Sequence, residues 1–67
     1  MRKDDELLRQ AEVARVVGVS RSAVAQKIED KLLESVTVGG LRFVPWRAVR
    51  QWQAERSERG RLLQQQM

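Results

Sequence analysis

Hydrophobic positions along the chain change period twice, and each change marks an element. Leu7 and Leu8 open the apolar pattern, and Ala11, Ala14 and Val17 continue it at helical spacing, flanked by Val13 and Val16. Gly18 ends this first helix, because glycine takes the left-handed conformation there without penalty. Its start has two readings. Arg9 stands at the cap position with Glu12 three residues on to reach back to the backbone, or Asp5 caps a longer helix. Val19 then points to the core, Ser20 caps a second helix, and Val24 and Ile28, four apart, form its buried contact beside small Ala23. From Ser35 the period falls to two. Ser35–Val38 and Leu41–Val44 read as strands around a Gly39-Gly40 turn. Pro45 fits the first turn of a last helix, whose stripe is Trp46, Val49 and Trp52. Gln53 to Arg59 are polar, Gly60 interrupts the pattern, and Leu62-Leu63 is an unassigned apolar pair before Gln64-Gln65-Gln66.

The hairpin has two possible registers. A two-residue Gly39-Gly40 loop groups Val36, Val38, Leu41 and Phe43 on one face, with Thr37 and Arg42 opposite. A three-residue loop that takes in Leu41 groups Val36, Val38, Arg42 and Val44 instead. A slip of one residue inverts every side chain of the return strand, so the two exclude each other. The first is preferred because it buries four apolar side chains and frees Arg42.

The chain's 67 residues suffice for one domain, and each apolar side chain counts in a core this small. The expected organisation is a frayed segment over 1–6, a folded body over 7–56 and a flexible or partner-ordered tail over 57–67. Cysteine and histidine are both absent, which removes disulfides, thiolate ligands, the commonest metal ligand and the commonest general base. The acids alternate with Lys and Arg as on a solvated surface, and a domain this size offers no deep pocket to raise a carboxyl pKa. Neither catalysis, a cofactor, a metal nor a small-molecule substrate is expected.

Charge changes the picture further. Lys and Arg number 13 against nine Asp and Glu, a formal +4, and ten of the basic residues are Arg. The planar arginine fork suits phosphates and guanine edges. Two Trp and one Phe are too few for a single-strand stacking platform, so the basic surface is either a duplex-DNA contact or ordinary solubilising charge. No apolar run approaches the ~18 residues of a membrane span and no signal-peptide pattern follows Met1-Arg2-Lys3, so a cytoplasmic, nucleoid-associated protein with no membrane partner is expected.

A turn as short as Gly18-Val19 makes two amphipathic helices cross steeply, so the second projects its N-terminal residues outward, where a major groove can receive them. Arg21 sits at a helix start, where the dipole disfavours a cation, and an external anion would account for it. Gln26 is either an exposed helix former or a bidentate contact to adenine. Arg47 and Arg50 flank the Trp46/Val49/Trp52 stripe as phosphate contacts or plain surface charge.

The run VARVVGVSRSAV, then Ile28, Asp30, Val36-Thr37-Val38, Gly39-Gly40, Val44-Pro45 and AVRQW, resembles the excisionase/MerR-type winged helix-turn-helix domains over about residues 7–56. The resemblance implies an α+β, mostly helical fold: a helix-turn-helix, a two-stranded wing and a C-terminal helix. It places Ser20, Arg21, Ser22, Ala25 and Gln26 at recognition-helix positions and Arg42 on the wing. Three positions depart from the family pattern. Lys27 stands where an apolar residue is usual and Lys31 where glycine is common, and Arg42-Phe43 exchanges the aromatic and basic order of the wing. The implied function is sequence-dependent duplex-DNA binding, as a small transcription regulator or an excisionase-like architectural factor of a phage, plasmid or bacterium. AVRQWQAER also brings to mind the DNA-recognition domain of phage terminase small subunits, which act in packaging. A protein-interaction module that kept the fold without the DNA is the alternative from another class. One such helix covers few base pairs, so a monomer that assembles cooperatively on DNA is expected, with the tail contributing.

Overall fold

Gly18 and Ser20 perform the tasks that their chemistry suggests. In the computed structural model, which describes residues 2–65 and their side chains through Ser57, helix α1 spans Gln10–Val17 and helix α2 Arg21–Glu29. Gly18 takes φ 83° and donates its N–H to the Ala14 carbonyl at 2.9 Å; Val19 N–H donates to the same oxygen. The Ser20 hydroxyl oxygen accepts from Ala23 N–H at 3.1 Å and so caps α2. Helix α2 ends at Asp30, followed by Lys31 at φ 59°, a left-handed conformation held without glycine.

The first helix begins at Gln10, and Arg9 is its cap residue with no side-chain cap bond. Of the two readings of the helix start, the Arg9 cap holds and the longer helix capped by Asp5 does not, because Leu7–Arg9 is a strand, β1. The hairpin follows as β2 (Val36–Val38) and β3 (Leu41–Pro45), and the last helix, α3, spans Trp46–Gln65. The result is a small α+β fold of three helices and a three-stranded antiparallel sheet in the order β1-β3-β2. The expected two-stranded sheet gains its third strand from residues that the local pattern left either outside the first helix or in its extension.

Val36 pairs with Phe43, Thr37 with Arg42 and Val38 with Leu41, the two-residue register. Gly39 and Gly40 both take positive φ, 58° and 78°, which such a tight hairpin demands of both central residues. The reason for preferring that register needs correction, however. Val36, Val38 and Leu41 are 37%, 51% and 61% exposed, so their face looks outward. The core side of the sheet is instead made by Val44 and its β1 partner Leu8, both fully buried.

Around that pair lie Val13, Ala14 and Val17 of α1, Val24 and Ile28 of α2, Leu33 of the connection and Val49 of α3. Trp46 and Trp52 are half-buried against this cluster. Among the described residues no polar or charged side chain is buried. Pro45 closes β3 rather than entering the last helix, and Gly60 does not interrupt α3, whose backbone continues to Gln65. The side chains of Leu62 and Leu63 lie outside the described residues.

The N-terminal residues are tied down where fraying was expected. Glu6 N–H donates to the Lys3 carbonyl, closing a turn. The opening N–H groups of α3, which have no partner inside a helix, donate outward: Trp46 to the Glu6 carbonyl at 2.8 Å and Arg47 to that of Asp4 at 2.9 Å. Arg2 adds an ion pair to Glu6 at 2.7 Å and lies 5.6 Å from the Trp46 ring centroid.

Candidate nucleic-acid interface

Capping by Ser20 leaves the first turn of α2 exposed, with Arg21 and Ser22 outward and Ala25 half-buried behind them. Strand register sets the other side of the site. Arg9, the last residue of β1, lies opposite Phe43, and Arg42 is its neighbour on β3. Between them opens a cleft of about 430 Å3 lined by Arg9, Arg21 and Arg42 together with Gln10, Ala11, Leu41 and Phe43. Three arginines from three different elements thus line one concavity beside the N-terminal ends of α1 and α2. Among the described residues Arg9 and Arg21 make no ion pair. Helix N-termini add partial positive charge, so the cleft favours an anion.

Arg42, which the preferred register was expected to leave free, is engaged instead. Its Nη1 donates to Glu29 Oε1 at the end of α2. Gln26 is exposed, and its Nε2 donates to Asp30 Oδ1 at 3.0 Å, one helical turn on. A carboxylate can only accept, so this contact fixes which end of the amide faces Asp30 and leaves the Gln26 carbonyl oxygen turned elsewhere. Ser20 remains exposed although its oxygen serves the cap.

Arg47 and Arg50 do not line this cleft. Arg47 forks onto Glu34, with Nε donating to Oε1 at 3.3 Å and Nη2 to Oε2. Hydrogen bonding to Glu34 and its charge raise the Arg47 pKa above the ordinary guanidinium value, so this cation stays charged at any working pH. Arg50 lies 3.4 Å from Asp4. Arg47 borders a separate depression of about 210 Å3 with Lys27, Leu32 and Trp52. There Lys27 sits 4.6 Å from the Trp52 ring centroid, so that its stem and charge cover an aromatic face.

Sequence reasoning missed Arg9 and Gln10. The available signal for Arg9 was a cation at the start of a helix, where the dipole disfavours it, the same argument that singles out Arg21. Comparison with protein-family models, with curated proteins and with solved structures finds no match to this chain.

Proposed function

We propose that the chain is a winged helix-turn-helix that binds duplex DNA in a sequence-dependent way, as a small transcription regulator or an excisionase-like architectural factor. In this reading α1, Gly18 and α2 form the helix-turn-helix, the β2–β3 hairpin is the wing, and β1 braces it. The observation that carries the reading is the convergence of Arg9, Arg21 and Arg42 on one cleft beside the open first turn of α2. Phosphates would occupy that cleft while Arg21, Ser22 and Gln26 meet base edges. Arg47 and Arg50, held by Glu34 and Asp4, contribute less than their number suggests.

The test is fluorescence anisotropy with a labelled random duplex over a range of salt. Two or three effective phosphate contacts, from Arg9 and Arg21 with or without exposed Arg15, give a log–log slope of about −2 to −3. A flat salt dependence, or no binding at low salt, overturns the reading. The exposed apolar face of Val36, Val38 and Leu41 favours a second reading, a protein-interaction module. That reading requires no affinity for duplex DNA at any salt concentration.

A further inference from the structure

Glu29 stands in an unfavourable place. As the last residue of α2 it meets the negative end of the helix dipole, with Asp30 beside it. On the proposed DNA-facing side it would also repel phosphates. What it gains is Arg42, thirteen residues on, whose Nη1 lies 2.5 Å from Glu29 Oε1. Arg42 is the one arginine of the cleft that is ion-paired among the described residues; Arg9 and Arg21 are not. Both partners stay open to solvent, with side chains 46% and 62% exposed, so the pair can exchange partners without unfolding anything.

We infer that Glu29 is an internal competitor for phosphate at Arg42 and so sets the affinity and the salt dependence of the duplex-DNA surface. In the free protein the carboxylate neutralises Arg42 and holds the β2–β3 hairpin against the end of α2. A phosphate reaches Arg42 only by displacing it, and the freed carboxylate then takes up a counterion. One of the three cleft arginines is thereby almost silent in counterion release, although it touches DNA. This inference rests on the DNA-binding reading above, and the two can fail separately.

The experiment measures binding of a random 20-base-pair duplex to the wild-type chain, E29Q, R42A and the E29Q/R42A pair, with E34Q as a control. Glu34 holds Arg47 outside the cleft, so E34Q makes the same charge change away from the site. Melting curves check that each variant is folded. E29Q is expected to bind about three- to tenfold tighter, with a salt slope steeper by about one, and E34Q to change affinity by less than about twofold. In the R42A background the E29Q gain should disappear. Wild-type binding with no gain in E29Q overturns the inference and leaves the DNA reading standing. An equal gain with and without Arg42 overturns it too, since Glu29 would then act only as a distant charge. Absence of wild-type binding overturns the DNA reading, and this inference with it.

Discussion

Lys31 holds a backbone conformation that its Cβ disfavours, and nothing about its side chain requires it there. At φ 59° it is the only non-glycine residue with positive φ among those described, and its N–H donates to the Ile28 carbonyl to finish α2. Lys31→Gly should therefore raise stability by about 0.5–1 kcal/mol in chemical denaturation, the left-handed penalty reduced by glycine's extra unfolded-state entropy. A loss of stability would mean that the Lys31 stem contributes packing. The Gln26–Asp30 pair makes a second prediction at this scale. With one amide N–H on Asp30 Oδ1, Gln26 keeps one N–H and its carbonyl oxygen, the complement of adenine N7 and N6. Selection from randomised duplexes should give an adenine preference at one position that Asp30→Ala weakens and Asp30→Asn retains. Gln26→Ala should abolish it at a cost of ~1–3 kcal/mol on the selected site, with random-sequence affinity unchanged. Identical selected sequences for wild type and Q26A would remove Gln26 from base reading.

At the scale of elements, stability is concentrated in the pairing of β1 with β3. Leu8 and Val44 face each other across it, both fully buried and both in the core cluster with α1 and α3. Leu8→Ala should cost about 2–5 kcal/mol, while Leu41→Ala, on the outward face, should change stability by no more than about 0.5 kcal/mol. Equal losses in urea denaturation would mean that the outward face is covered in solution. The same elements show why the sequence was only partly legible. The α1–Gly18–Ser20–α2 unit and the place of the hairpin turn follow from local chemistry, a left-handed glycine, a hydroxyl cap and two glycines with positive φ, whereas burial, the ground for choosing the register, did not decide it. Strand β1 does not follow from local chemistry, since Leu7-Leu8-Arg9 suits a helix start as well as a strand, and only pairing with a segment more than thirty residues away decides it. The capping of α3 by the Asp4 and Glu6 carbonyls is invisible for a similar reason: backbone acceptors carry no residue signature. At the candidate site Arg21 could be singled out from its place at a helix start. The pairing of Arg42 with Glu29 and of Arg47 with Glu34 could not, because each spans thirteen residues and depends on tertiary placement.

For the whole molecule, on the proposed DNA-binding reading, one cleft and one exposed helix start span only a few base pairs, too few to select a site among genomic competitors. Specific binding then needs a second copy on the same DNA. Val36, Val38 and Leu41, with Leu7 40% exposed on the same side of the sheet, offer an apolar face for that contact. Four partly exposed side chains amount to a few hundred Å2, on the order of half the ~800 Å2 per partner of a stable interface. Such a face is too small to hold a dimer in free solution but large enough to couple neighbours already aligned by DNA. The protein should sediment as a monomer and bind a two-site duplex cooperatively, and V36S/V38S should reduce that cooperativity while leaving single-site affinity and the melting temperature unchanged. A chain ending at Arg56 provides the comparison. The described core is complete by Trp52, and the Gln53 side chain still reaches the Val16 carbonyl, so this chain should fold. If ending the chain at Arg56 removes the cooperativity and V36S/V38S does not, the contact belongs to the segment after Arg56 and the sheet face plays no part. A stable dimer of the full chain without DNA, seen by analytical ultracentrifugation, would contradict the area argument itself.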